Sequence, residues 1–217
     1  MDDTPQSRLA MPLGEAVFTQ RSIRRFRPDP LPADHLQLIL AAAVKAPNGG
    51  NSQPGRFLVL TDRDTIRAFG ALYREAWWAK RRDEGQPWTT REAIPAEART
   101  PRAAAQLADE IADAPCIVLA LGTGQGQANS VLPAVQNLML AARALGIGSV
   151  PTTLHPQIIE RVYALLGIPA EAELHLCIPL GYPRGRFGPT RRKPLAETAF
   201  LDRWGTPGPW AATATDD

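Results

Sequence analysis

Lysine is scarce in this chain: three residues (Lys45, Lys80 and Lys193) among 24 basic ones, so arginine carries nearly all the positive charge. Alanine and proline are abundant as well, and such a bias reflects genome composition more than chemistry. Single arginines therefore mean little; clusters beside suitable partners mean more. Cysteine is scarcer still. Cys116 and Cys177 each sit inside an apolar run, and no C-x-x-C or Cys/His spacing offers a metal site. Three histidines, His35, His155 and His175, are scattered, and nothing supports a Ser-His-Asp or Cys-His catalytic arrangement around them. The runs G-x-G-x-x-G and G-x-x-x-x-G-K-[ST] are absent, which removes the signatures of Rossmann and P-loop phosphate sites. No apolar run approaches a membrane span, and the first residues lack the apolar core of a signal peptide. The expectation is a cytoplasmic protein with no membrane partner. A net charge of +2 argues equally against nucleic acid as a ligand.

What remains is an ordinary globular composition. A chain of 217 residues with 44% hydrophobic content is read as one domain, spanning 1–217. At this length roughly 70% of the unfolded surface is buried on folding, so no staples are required. Leu13 to Gln20 reads as a short helix. Leu36, Ile39, Leu40, Ala43 and Val44 have i, i+3, i+4, i+7, i+8 spacing, which predicts an amphipathic helix entered at Pro32 and stopped by Pro47. Phe57 to Leu60 and Cys116 to Leu121 read as buried strands. Between them, Ile66, Phe69, Tyr73, Ala76 and Trp77 mark a second helix, and residues 103–113 a shorter one. Residues 80–102 turn polar and carry three prolines, predicting an irregular, lid-like excursion. Val131, Val135, Leu138, Ala142 and Leu145 mark a strongly apolar helix capped by Gly146. Ile147 to Val150 is a short strand, Pro156 to Leu166 a helix, and Leu174 to Leu180 a strand with one buried face. From about 182 onward the chain is a Gly-, Pro- and Arg-rich arm whose aromatics suggest that it lies across a body, its own or a partner's.

Two segments carry chemistry. Arg21-Ser22-Ile23-Arg24-Arg25-Phe26 offers forked guanidinium donors and a hydroxyl, the groups that match a phosphate. Pro47-Asn48-Gly49-Gly50-Asn51-Ser52-Gln53-Pro54 is a loop of small residues and amides, suited to lying against a flat polar ring. An anionic tail and a planar heteroaromatic head describe a flavin or a nucleotide. Gly146 to Leu154, a short strand-to-loop passage that holds Pro151, Thr152 and Thr153, has exposed backbone N–H groups that can meet the acceptor edge of such a ring. Arg184, Arg186, Arg191, Arg192 and Lys193 make the arm basic; with the overall charge nearly balanced, a local anion site fits better than a nucleic-acid stripe.

Taken together, these segments resemble the FMN-dependent nitroreductase family, the nitro/flavin reductase superfamily. The 21–26 segment looks like its N-terminal flavin motif, Ala46 to Phe57 like its Ala-Pro-Ser-Gly-Gly-Asn-x-Gln-Pro-Trp-Arg-Phe segment, Gln136 to Gly148 like its central dimer helix and following loop, and Arg191 to Leu195 like its C-terminal phosphate clamp. The resemblance runs in order from residue 20 to 200. It implies an α+β three-layer sandwich, with a central mixed, mainly antiparallel sheet flanked by helices, in an intertwined homodimer with FMN at the interface. By resemblance, Ser22 and Arg192, with Arg21 or Arg191, hold the phosphate and ribityl end, and Arg24 faces the pyrimidine edge. Pro47, Asn48, Gly49 and Asn51 pack on the ring from the other subunit, backbone around Thr152 and Thr153 donates to N5 and O4, and Gln53 and Pro151 complete the cofactor-binding residues. The implied activity is ping-pong hydride transfer from NAD(P)H through FMN to a small electron-poor acceptor such as a nitroaromatic or quinone. No side chain is required as acid or base. A specialised flavin enzyme of the same fold (a dehalogenase or flavin destructase) and a flavin-binding protein without turnover are the alternatives. Three positions depart from the family pattern: Gln20 stands for Arg, Asn48 for Ser and Gly55 for Trp.

Overall fold

A computed structural model describes residues 4–212. Eight α-helices occur among the described residues: α1 (Pro5–Arg8), α2 (Leu13–Thr19), α3 (Ala33–Ala43), α4 (Arg63–Asp83), α5 (Arg99–Glu110), α6 (Ala128–Ala144), α7 (Ile159–Leu166) and α8 (Leu195–Thr198). The four strands are β1 (Gly55–Leu60), β2 (Cys116–Thr123), β3 (Gly148–Ser149) and β4 (Ala172–Gly181), in sheet order β1-β2-β4-β3 with every neighbouring pair antiparallel. The described sheet is therefore antiparallel throughout, not mixed as expected; the parallel bridge at Ser149 is to Ser22, which lies outside its strands.

Alternation along β2 divides the core into two layers. Ile117, Leu119 and Leu121 point to a cluster with Ile66, Phe69 and Tyr73 of α4, Leu107 of α5 and Val162 of α7. Cys116, Val118 and Ala120 point the other way, to Ile39 and Ala43 of α3 and to Val131, Val135, Leu138 and Ala142 of α6. Helices thus cover both faces, giving the three-layer α+β sandwich. Such a strand has no solvent side and reads as a continuous apolar run. The same position corrects the reading of Leu174 to Leu180: from Cys177 to Gly181 every residue of β4 is buried, because this strand too lies between the helical layers.

The segment 80–102 is irregular only in its middle. Helix α4 continues to Asp83, with Ala79 buried and Lys80, Arg81 and Arg82 in its last turn, where cations complement the helix dipole. Helix α5 starts at Arg99 and accommodates Pro101 in its first turn, where a missing N–H costs nothing. The connection between them is pinned by Ile94, 1% exposed, whose carbonyl accepts a 2.7 Å bond from Arg102. Gly70 lets α4 approach the turn at Ile111–Asp113: a Cβ there would lie 2.8 Å from the Ala112 Cβ. Among the described residues, no helix is long and apolar enough to cross a membrane.

The arm has structure of its own. Residues 195–212 fold on themselves through α8, a Phe200–Pro207 bridge and a closing 3-10 turn at Pro209–Ala212. The Phe200 and Trp204 rings pack at a tilt of 55° with centroids 4.9 Å apart, and the Trp210 indole donates to the Ala199 carbonyl at 3.0 Å. Trp204 is 92% exposed.

Candidate functional site

The Arg21–Phe26 segment leaves α2 and is stitched to the sheet on both sides. The Ile23 N–H donates to the Ser149 carbonyl at 2.9 Å, and Phe26 bridges Pro183, flanked by Arg27 N–H to Tyr182 O (2.8 Å) and Arg184 N–H to Arg25 O (3.0 Å). The buried Ile23 side chain fills the space over Gly148, where any Cβ would come within 2.7 Å of it. Two segments singled out in the sequence, Ser22-Ile23 and Gly148 to Thr153, are thereby neighbours. Ser149, between them, is 2% exposed.

Arg24 follows the anchored Ile23 directly. Its guanidinium is half-buried and has no ion pair or hydrogen bond among the described residues. Burial lowers its pKa, an effect opposed by the nearby Tyr73 hydroxyl and reinforced by the charge of Arg21. With Phe26, Glu110, Asp113, Ala114 and Arg184 it lines a cavity of about 180 Å³. The Arg184 guanidinium donates to the Phe26 carbonyl at 2.8 Å and braces the end of the motif.

The Pro151–Thr153 loop is tied to β4. The Thr152 N–H donates to the Cys177 carbonyl and the Cys177 N–H to the Thr152 carbonyl, both at 2.8 Å. This corrects one expectation: the Thr152 N–H is spent inside the fold, and of the two threonines only Thr153 is exposed. Thr152 Oγ1 is buried without a hydrogen-bond partner among the described residues. It lies close to the Tyr73 hydroxyl and the Cys177 thiol, outside bonding geometry with either, and burial pushes the pKa of both groups up.

The Pro47–Pro54 loop is a tight, outward-facing turn. Gly50, Asn51 and Gln53 have φ of 57°, 53° and 49°. Asparagine tolerates the left-handed region, so Gln53 is the unusual residue here, of the kind that concentrates at ligand sites. Asn48 Oδ1 accepts from the Gln53 N–H at 2.9 Å, and Ser130 Oγ of α6 accepts from the Gly49 N–H at 3.2 Å. Asn48 thus closes the loop. Pro47, Gly49, Asn51 and Gln53 stay exposed. At Gly55 a Cβ would meet only open space. No hydrogen bond or ion pair among the described residues links this loop to Arg21–Phe26.

Arg191 and Arg192 are exposed, and Arg192 donates to the Arg191 carbonyl at 2.9 Å. Gln20, the departure from the family motif, directs its amide toward Met139 Sδ at 3.8 Å. Tyr73, Arg184 and His155 carry no local signal of their place beside the site. Tyr73 has the same spacing as its core neighbours, and Arg184 is one arginine among many. His155 precedes Pro156, as a helix cap would, and its Nδ1 does accept from the Gln157 N–H at 3.4 Å, while Nε2 meets Asp83 at 2.9 Å.

The three-layer α+β sandwich thus carries an unpaired half-buried cation in a segment anchored to the sheet, and an exposed amide loop with left-handed backbone. The nitroreductase family profile matches residues 17–182, and the chain belongs to that family. It is 33% identical over 83% of its length to an NADH dehydrogenase of Thermus thermophilus, covering 91% of that protein. It is 34% identical over 78% of its length to a 5,6-dimethylbenzimidazole synthase of Rhodospirillum rubrum, covering 82% of that protein. The fold superposes on an iodotyrosine deiodinase crystallised with FMN and 3-iodo-L-tyrosine with a TM-score of 0.70 at 24% identity, over 90% of this chain and 100% of that one.

Proposed function

We propose that this protein is an FMN-dependent oxidoreductase that carries hydride from NAD(P)H to a small electron-poor acceptor, such as a nitroaromatic or quinone. The observation that carries the reading is Arg24, a half-buried guanidinium without a counter-ion among the described residues, held beside the Gly148–Thr153 loop. A buried cation without a partner calls for an anion. The donor chemistry fits FMN: Arg21, Ser22, Arg191 and Arg192 suit a phosphate, and the backbone amide of exposed Thr153 suits the acceptor edge of a ring.

Bound FMN supplies the hydride chemistry, and the protein supplies position and electrostatics. Arg24 would favour negative charge at the pyrimidine edge. The Ile23–Ser149 bond keeps Arg24 at a fixed offset from Thr153. Pro47, Gly49, Asn51 and Gln53, exposed in one chain, would lie on the ring bound by a second copy, with Asn48 holding their loop closed. Exposed Leu13, Val17 and Phe18 of α2 and Leu132 of α6 support such a homodimer. The connection between Asp83 and Arg99 would form the lid that selects the acceptor.

The test is anaerobic mixing of FMN-loaded protein with NADH and NADPH in parallel, followed by a panel of nitroaromatics and quinones. Bleaching of the flavin band and its recovery with an acceptor support the reading; protein that takes up no FMN overturns it. The similarity to the 5,6-dimethylbenzimidazole synthase favours a second reading, a specialised enzyme that consumes flavin. Loss of the flavin itself when reduced protein meets oxygen would select that one.

A further inference from the structure

Three segments converge at Arg143, in the last turn of α6. Its side chain is only 11% exposed. Nε donates to Thr19 Oγ1 at 2.9 Å, Nη2 meets Glu15 Oε1 at 3.2 Å, and the guanidinium lies 4.2 Å over the ring of Phe187. Thr19 Oγ1 in turn donates to the Glu15 carbonyl at 2.6 Å, and the Thr19 carbonyl accepts from the Gly188 N–H at 3.3 Å. The guanidinium has donors enough for these bonds and a flat face for the stack; a lysine has no such face.

Both segments fastened at Arg143 run on, within a few residues, into candidate phosphate ligands. Thr19 stands two residues before Arg21, and Gly188 three residues before Arg191. Three residues of chain reach at most roughly 11 Å. The Phe187–Gly188 anchor therefore sets down the arm beside the start of the Arg21–Ser22 segment of the same chain, and the basic pair Arg191–Arg192 leaves from there.

We propose that Arg143 is a positioning residue for the phosphate end of the cofactor. It holds Phe187 and Thr19 together so that the arm's arginines and the N-terminal motif converge on one anion. This inference rests on the FMN reading above. Arg143 itself, occupied by Glu15, Thr19 and Phe187, does not bind the phosphate.

FMN and riboflavin differ only in the phosphate, so their affinity ratio isolates that end of the site. Flavin-free full-length protein is titrated with each, for the wild type, Arg143→Ala, Phe187→Ala and Arg143→Lys. Phe187→Ala leaves every charge in place and alters only the arm, so it reports geometry without threatening the fold. The expected result is a fall of at least tenfold in the FMN-to-riboflavin affinity ratio for Arg143→Ala, a fall in the same direction for Phe187→Ala, and partial recovery in Arg143→Lys. An unchanged ratio in Phe187→Ala, or equal losses for both flavins, overturns the proposal. Wild-type protein that prefers FMN while both variants keep that preference refutes the positioning role alone; wild-type protein that binds neither flavin removes the FMN reading as well.

Discussion

His155 Nε2 lies 2.9 Å from the Asp83 carboxylate and joins the loop beyond Thr153 to the last residue of α4. Because Nδ1 accepts from the Gln157 N–H, the proton sits on Nε2 and the bond runs from histidine to carboxylate. His155 is 13% exposed and Asp83 about half, so the pair is a hinge pin more than a source of stability. Asp83→Asn and His155→Gln are expected to cost less than about 1 kcal/mol in thermal melts. The KM for the acceptor should rise several-fold while flavin content is unchanged. An unaltered KM in both variants would detach this contact from the lid.

Arg192→Ala should lower FMN affinity by roughly 1.5–3 kcal/mol, the scale of a hydrogen bond to a charged group. Titration of flavin-free protein measures it, and unchanged affinity removes Arg192 from the phosphate site.

Gly148→Ala drives a methyl group into Ile23, at 2.7 Å from its side chain. Overpacking of this kind costs about 1–3 kcal/mol. It should also displace the Ser22–Ser149 bridge and reduce cofactor uptake. Gly167→Ala is the comparison: it meets nothing within 4 Å and only strains the cap at φ 63°. Melting temperature should fall in both, and flavin occupancy only in the first.

The two thiols give a pH prediction. Cys116 is pushed up to about 12 by burial, and Cys177 is raised further still. A thiol whose folded pKa is raised contributes nothing adverse below its unfolded value. As pH rises above that value, the unfolded chain ionises first and stability falls until the folded pKa is passed. The melting temperature should therefore decline from about pH 9 upward, one proton being released per thiol on unfolding. Cys116→Ala should make that decline shallower. Native protein should react slowly with a thiol reagent, and unfolded protein at both cysteines.

Much of the fold is legible in the sequence because burial and period coincide. The Leu36–Val44 stripe and the apolar run at Cys116 each have one structural solution. The ends of α4 and α5 are obscured by charge and proline, whose tolerance depends on position within the helix and not on residue type. In the site, Ser22 and Thr152 stand out through their segments, yet the contact between those segments rests on Ile23 filling the space over Gly148. No local pattern encodes that fit. Arg143 and Arg184 are hidden for a different reason: in a chain with so many arginines, only the partners distinguish a brace from a solvated side chain.

The reciprocal bonds between Thr152 and Cys177 make the Pro151–Thr153 loop a lateral outgrowth of the central sheet. Such a loop cannot breathe without opening the sheet at a buried thiol. The chain between Asp83 and Arg99 has no such tie to the sheet: it is fastened at Ile94, through the Arg102 bond, and at Asp83, through His155. Of the two segments, the loop is the fixed datum and the connection the part left free to adjust.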